Sequence, residues 1–212
     1  MSSEEKIQLL RSFSLFDELS KKDLNSIAKL FQYKILPKYS NFITEGDKNT
    51  EMYFIISGLI RIYHLHESGK EMTIAMRMPG ETIGEMSIIE DQPRSANAET
   101  LYESSILILT KANFVKLLKK YPLVGIHFLQ ILSRRLREDL ELQKIISFSN
   151  LENRTYHVLQ TLSPYFADTG ITFSHEQLSA LINATQPRVT EALHTLRKNK
   201  KIKISRKKIR VR

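Results

Sequence analysis

Apolar residues recur at helical spacing near both ends of the chain and at strand spacing between them. Residues 3–32 carry leucine, isoleucine and phenylalanine three and four positions apart, which predicts helices, and Ser20 is placed to cap the second one. Between Tyr33 and Thr110 the pattern changes to short apolar runs separated by glycine, proline and polar turn residues. The runs that we predict to be strands are residues 42–44, 52–56, 59–63, 72–76, 96–100 and 105–110. Many short strands with helices on either side predict a barrel or jelly roll.

Helical spacing returns in residues 111–121 and then in a long element from about Leu123 to Ser147. On that element Leu129, Leu132 and Leu136 lie near heptad positions, with polar residues where the apolar seam would continue. A helix of this length needs a surface to pack against, so we predict that it forms the interface of a homodimer. The alternative is a helix buried on its own barrel. The segment that follows, residues 147–150, breaks the pattern and marks a domain boundary.

The C-terminal third has the pattern of two helices joined by a tight turn. Ser174 and Gln177 have the spacing of a capping box, which opens a helix that we expect to run to Ile182. The second helix carries a stripe of buried apolar residues, and Thr185 is placed to cap it. This arrangement is typical of DNA-binding proteins, whose second helix enters the major groove. The residues predicted to contact DNA from this helix are Thr185, Gln186, Arg188, Thr190 and Glu191.

The last sixteen residues alternate isoleucine and valine with lysine and arginine around a polar turn, which predicts a hairpin. One face of such a hairpin packs on the preceding helices, and the other offers cations to phosphates. Lys207 and Lys208 are the predicted phosphate contacts. Residues 151–212 hold 12 Lys and Arg against 4 Asp and Glu, a net +8, whereas residues 1–150 hold the other 20 and 19, a net +1. This segregation of charge favours double-stranded DNA as a partner over a membrane surface.

Composition excludes several other classes of protein. The chain has 212 residues, 42% of them hydrophobic and 26% charged, and no cysteine, so disulfides, thiolate metal sites and thiol redox switches are excluded. There is neither an apolar run of membrane-spanning length nor a leader peptide pattern, so we expect a cytoplasmic protein without a membrane partner. None of the six histidines lies in a nucleophile or metalloprotease motif, so we expect that the protein is not an enzyme.

Residues 80–96 carry the most specific chemistry in the chain. Gly80 and Gly84 let the backbone come close to a ligand, and Glu85 offers a carboxylate to a sugar hydroxyl. Arg94 and Ser95 offer a cation and a hydroxyl to a phosphate. The alternative is that the glycines only make turns and that the acid and the arginine form a surface ion pair.

This motif resembles the phosphate-binding cassette of cyclic-nucleotide-binding domains. Together with the long helix and the helix-turn-helix pattern, it resembles the CRP/FNR family of bacterial transcription regulators across nearly the whole chain. The resemblance implies an α+β fold with a double-stranded β-helix (jelly-roll) sensor domain at residues 1–120, a dimerisation helix at 121–149 and a winged helix-turn-helix domain at 150–212. It also implies a homodimer that binds a near-palindromic operator and works with RNA polymerase. The ligand-binding residues that it implies, with a cyclic nucleotide such as cAMP as the ligand, are Gly84, Glu85, Met86, Ser87, Arg94, Ser95 and Arg135.

The chain departs from the family pattern at two places. Where members that use cyclic AMP place hydroxyl side chains on the long helix, this chain has Asp139 and Leu140. The second helix of the helix-turn-helix starts with Gln186 and Pro187 instead of the common Arg-Glu pair, and Glu191 stands where arginine is frequent. Three alternatives therefore stay open: a regulator with a different effector, a regulator whose pocket is vestigial, and a cyclic-nucleotide signalling subunit that acts on a protein partner.

Overall fold

The computed structural model describes residues 2–167, 169–205 and 208–212. The chain divides into two compact units. The first consists of Met1–Glu67 and Ile74–Ser133, and the second of Ser68–Thr73 and Arg134–Arg212. The domain bounds 1–120, 121–149 and 150–212 stay a prediction.

Helices occupy both ends of the chain and strands occupy its middle, as the hydrophobic pattern predicts. The helices are α1 (Ser3–Leu10), α2 (Lys21–Ala28), α3 (Glu85–Glu90), α4 (Lys111–Lys120), α5 (Pro122–Phe148), α6 (Leu151–Leu162), α7 (His175–Ile182) and α8 (Gln186–Lys198), with 3-10 turns at Ser14–Phe16 and Ser163–Phe166. The strands are β1 (Gln32–Leu36), β2 (Asn41–Ile43), β3 (Glu51–Ser57), β4 (Ile60–Leu65), β5 (Glu71–Arg77), β6 (Thr82–Ile83), β7 (Asn97–Thr100), β8 (Ser104–Thr110), β9 (Ile202–Ser205) and β10 (Lys208–Val211).

The eight strands of the middle region form two four-stranded sheets, in the orders β1-β8-β3-β6 and β2-β7-β4-β5. The strand pairs are antiparallel, with Gln32 opposite Ile108 and Tyr53 opposite both Ile108 and Ile83. In both sheets, strands that are distant in sequence pair with each other, which is typical of a jelly roll. The predicted α+β fold is therefore confirmed.

Successive side chains of β3 point to opposite faces of the sheet and pack into two separate hydrophobic cores. Met52 and Phe54 face the N-terminal helices, where the rings of Phe13, Phe16 and Phe31 pack around Phe54 with centroids 5.2 to 5.8 Å from its own. The intervening residues Tyr53 and Ile55 belong to the second core, formed by residues from both sheets. Each of these large side chains contributes on the order of 2 kcal/mol by leaving water, so β3 is central to the stability of the first unit.

The N-terminal region is two short helices rather than one continuous helix. Ser2 and Glu5 form a capping box that opens α1, and the Ser20 hydroxyl accepts a hydrogen bond from the Asp23 N–H at the start of α2, as predicted. Between them Phe13 takes an extended conformation, which turns its ring into the core.

Helix α5 is 27 residues long and presents two different faces. Within the first unit, Val124 and Phe128 are buried against the core of the N-terminal helices. Leu129, Leu136 and Leu140 are 63%, 62% and 56% exposed, which is unusual for leucine on a long helix. One side of the helix is thus buried in its own chain, and an apolar stripe on the other side has no cover from the described residues.

In the second unit, α6, α7 and α8 pack on one another and on the β9–β10 hairpin. The Ser174–Gln177 capping box opens α7 as predicted, and Asn183 ends that helix in the left-handed conformation, with φ 54°. The side chain of Arg154 on α6 donates a hydrogen bond to the carbonyl of Ile182, which ties the turn to α6. The apolar residues at the centre of this unit are Leu159, Leu162, Ile171, Leu178, Ile182, Val189, Leu193, Leu196, Ile202 and Ile209.

Candidate ligand-binding cassette and nucleic-acid surface

The cassette, residues 80–96, contains a short helix that the sequence pattern did not predict. Gly84 is left-handed, with φ 82°, and is the N-cap of α3, which starts at Glu85. A Cβ at Gly84 would lie 2.5 Å from Nη1 of Arg94 and 2.8 Å from the carbonyl oxygen of Glu51. Both the backbone conformation and this close approach require glycine. Residue 84 is therefore where the chain passes directly over the guanidinium of Arg94.

The guanidinium of Arg94 is the centre of the cassette. Its side chain is buried, and it donates from Nη1 to the carbonyl of Gly84 at 3.0 Å and to Oγ of Ser87 at 2.8 Å. Nη2 donates to the carbonyl of Glu51 at 2.6 Å. A guanidinium has five N–H groups, and Nε of Arg94 is buried without an acceptor among the described residues. A ligand phosphate placed beside Nε would accept a hydrogen bond from this otherwise unpaired donor. The residues present therefore fit a phosphodiester.

Tyr53 lies beside this guanidinium, which is 5.5 Å from the centre of its ring. Its hydroxyl donates to Oε2 of Glu51 at 3.0 Å. Burial, and next the negative charge of Glu51, raise the pKa of Tyr53 to about 12. Tyr53 is therefore neutral across the physiological range, and Arg94 remains the charged group at this place.

The other predicted ligand residues differ in how closely they approach Arg94. Ser87 is buried and hydrogen-bonded to it, whereas Ser95 is exposed, with its hydroxyl 3.7 Å from the sulfur of Met86. Met86 is 48% exposed, and Glu85 is half-buried at the first position of α3. Arg135 is buried on α5 within the second unit, and its role toward a ligand stays a prediction.

The candidate DNA surface is the outer face of α8. Gln186, Arg188, Thr190 and Glu191 are all exposed, while the stripe led by Val189 is buried. The prediction that Thr185 caps the helix is wrong in one respect: it occupies the N-cap position, but its side chain makes no capping hydrogen bond. Pro187 at the second helical position has no N–H, so one of the donors that an N-cap side chain reaches is missing.

One residue outside the predicted set contacts this face. Nδ1 of His175, the first residue of α7, is 2.8 Å from Oγ1 of Thr190, whose hydroxyl donates to the carbonyl of Gln186 at 2.9 Å. Because the hydroxyl proton is directed at that carbonyl, we assign the N–H of the first contact to Nδ1 of His175. The hydroxyl of Thr190 is thereby fixed as an acceptor.

The predicted hairpin is present as β9 and β10, paired with Ser205 opposite Lys208. Lys208 is exposed, and Lys207 lies outside the described residues. Where α8 ends, the structure also forms a basic cleft of about 320 Å³ that was not predicted. It is lined by Arg197, Lys200, Ile202, Lys203, Ile204 and Arg212.

Sequence reasoning missed the residues that act through the backbone. The backbone carbonyl of Glu51 accepts a hydrogen bond from Arg94, and Lys200 beside the basic cleft has a left-handed backbone conformation. Neither feature can be inferred from the type of the residue. His175 could have been suspected, because it follows the predicted cap Ser174 and therefore starts a helix beside α8.

Within the described part of the chain there is no group of three or more metal-ligating side chains, and no helix there has the length and apolarity to span a membrane.

A jelly-roll unit followed by a winged helix-turn-helix defines a class of DNA-binding transcription regulators. Comparison with known proteins agrees with this class, since the chain matches the cyclic nucleotide-binding domain family over residues 34–121. The chain is 32% identical over 193 residues to the Cyclic AMP receptor protein of Thermus thermophilus, which covers 88% of this chain and 87% of that protein. The chain belongs to the CRP/FNR family of transcription regulators.

Solved structures agree with this assignment. The Catabolite Activator Protein of Thermus thermophilus matches 93% of each chain at 30% identity, with a TM-score of 0.55. FixK2 of Bradyrhizobium japonicum matches 86% of this chain and 92% of its own at 18% identity, with a TM-score of 0.74, which shows the likeness of fold.

Proposed function

We propose that the protein is a homodimeric transcription regulator that binds a near-palindromic operator through α8 and recruits or blocks RNA polymerase there. The observation that carries this proposal is the exposed face of α8, where four polar side chains stand opposite a fully buried stripe. The net +8 of residues 151–212 supports DNA as the partner. The exposed leucines of α5 support a dimer, because two such stripes facing each other would bury them.

The same proposal includes an effector at the cassette, namely a cyclic nucleotide. Arg94 would hold the cyclic phosphate through Nε, and Glu85 would accept a hydrogen bond from the ribose hydroxyl. The half-buried carboxylate of Glu85 and the buried cation of Arg94 both lie beside Gly84, where the backbone would come close to the ligand.

Titration calorimetry with cAMP, cGMP and cyclic di-GMP tests the effector. Arg94→Ala removes the proposed phosphate contact, and it also removes two hydrogen bonds within the cassette and one to Glu51, so it can unfold this region. Ser95→Ala is the cleaner variant, because Ser95 is exposed and, among the described residues, its hydroxyl makes only a weak contact with the sulfur of Met86. We expect one of the three nucleotides to bind, with affinity reduced roughly tenfold in Ser95→Ala, the loss of one charge-assisted hydrogen bond.

A second candidate is a regulator of the same family that needs no effector. The observation in its favour is that Arg94 already donates three hydrogen bonds to its own chain, which makes it a structural element of the cassette. Asp139 and Leu140, in place of hydroxyl residues, also favour it. Operator binding that is the same with and without all three nucleotides, together with an absence of binding heat, would select this candidate.

A further inference from the structure

The tip of the β4–β5 hairpin, residues 68–73, belongs to the second compact unit, although the residues on either side of it belong to the first. Within this hairpin tip, Thr73 is only 6% exposed, whereas the adjacent Met72 is 47% exposed. Successive side chains of a strand point in opposite directions, so one side of the tip is covered and the other is open to solvent.

A hydrogen bond joins the hairpin tip to the turn of the helix-turn-helix. Nδ2 of Asn183 donates to the main-chain carbonyl of Thr73 at 2.9 Å. Asn183 ends α7 in the left-handed conformation, and Gln186 starts α8 three residues later. The hairpin tip therefore lies beside the turn that leads into the helix proposed to contact bases.

An element that lies at this turn stands in the way of DNA. In a helix-turn-helix the first helix crosses the sugar-phosphate backbone, and the start of the second helix enters the major groove. The duplex thus needs free space around the turn that connects them. The hairpin tip carries one lysine, Lys70, and one acid, Glu71, so it has no net charge that would attract phosphates and offset the obstruction.

We propose that the hairpin tip makes an autoinhibitory contact with the helix-turn-helix through Asn183, and that it must leave the turn before α8 can enter a major groove. The proposal rests on DNA binding by α8 and adds a means of regulating it. A single hydrogen bond changes an equilibrium constant by roughly fivefold, so operator DNA can displace the tip.

Asn183→Gly breaks the contact and leaves the turn intact. Glycine removes Nδ2 but adopts the left-handed conformation readily, so the thermal unfolding midpoint should stay close to that of the wild type. We expect operator binding to become roughly fivefold tighter. The matched control is Tyr39→Gly, the same kind of change at a left-handed residue of the first unit, with φ 60°. Tyr39→Gly should bind DNA like the wild type.

Trypsin cleavage after Lys70 measures the release of the hairpin tip directly, because Lys70 is exposed and a free tip is cut faster than one held in place. Cleavage after Lys70 should be faster in Asn183→Gly than in the wild type. Operator DNA should also accelerate it in the wild type, since the DNA displaces the tip. Cleavage after Lys22, an exposed lysine of α2, should stay the same in both experiments.

Unchanged or weaker operator binding of Asn183→Gly would overturn the proposal, even if cleavage after Lys70 became faster. Protection of Lys70 by the operator would also overturn it, because the tip would then be part of the DNA interface. Failure of the wild type and of Asn183→Gly to bind any duplex is a different result, since it would contradict the proposed function itself.

Discussion

The guanidinium of Arg94 donates a 3.0 Å hydrogen bond to the carbonyl of Gly84, and the same atom, Nη1, occupies the space that a side chain at Gly84 would need. The two residues therefore depend on each other. Because residue 84 has no side chain, there is room for the buried guanidinium of Arg94 beneath the left-handed turn. This relationship links the stability of the first unit to the residue that we propose binds the effector.

Gly84→Ala is expected to destabilise the first unit and to displace Arg94. The matched control is Gly46→Ala, because Gly46 has a similar φ of 86° but open space around its Cβ position. Gly46→Ala should therefore cost only the left-handed strain, about 1 kcal/mol, and Gly84→Ala at least about 2 kcal/mol more. Urea unfolding of both variants gives the comparison. Equal losses in the two would show that Arg94 moves aside without cost.

Stability should fall at high pH because of Tyr53. Its pKa is raised from 10 to about 12 in the folded chain, so between these values the unfolded chain loses its proton while the folded chain keeps it. The free energy of unfolding therefore decreases as pH rises from 10 to 12. In Tyr53→Phe this contribution is absent. The measurement is the difference between the two proteins in urea unfolding at about pH 9, 10.5 and 12, which cancels the titration of other groups. A difference that does not change with pH would contradict the assignment.

The exposed stripe of leucines on α5 predicts a homodimer that would dissociate if negative charges were introduced into the stripe. Leu129→Asp together with Leu136→Asp should yield a mass near one 24.6 kDa chain in light scattering, where the wild type gives two. Arg134→Asp is the control, because this exposed position lies on another face of the helix. A wild type that is monomeric at micromolar concentration would contradict the dimer, as would a double variant that remains dimeric.

We expect His175 to determine which groups on DNA the hydroxyl of Thr190 can contact. With His175 in place, the hydroxyl of Thr190 is an acceptor whose proton is held by the carbonyl of Gln186. His175→Ala frees the hydroxyl to rotate, so base preference should relax at one position of each half-site by about 1 kcal/mol. Thr190→Val removes the hydroxyl, so adding His175→Ala to it should have no further effect. Selection from randomised duplexes measures both. Additive effects of the two changes would show that His175 acts independently of Thr190.

The parts of the fold that local patterns encode were predictable. The capping box at Ser174, the spacing of Val189, Leu193 and Leu196, and the alternation of the last strands indicated the helix-turn-helix and its wing. Helix α3 was not predicted, because it is six residues long and opens at a left-handed glycine rather than at a side-chain cap.

The candidate site was predictable in its residue types and less so in its contacts. Arg94 stood out as a cation near two glycines, but its partners include the carbonyls of Gly84 and Glu51, and backbone groups carry no sequence signal. The strain at Lys200 was hidden for the same reason, since only the backbone shows that a lysine occupies a position suited to glycine.

The central claim is that α8 selects the DNA sequence while the wing supplies phosphate contacts. The measurement is binding of Gln186→Ala, and of Lys207→Ala combined with Lys208→Ala, to the selected operator and to random duplex over a salt series. Gln186→Ala should lose roughly 1 to 3 kcal/mol on the operator alone. The wing variant should weaken binding to both duplexes and flatten the salt dependence by about 0.9 for each phosphate that is no longer neutralised. The claim is contradicted if Gln186→Ala weakens both duplexes equally while the wing variant abolishes the preference for the operator.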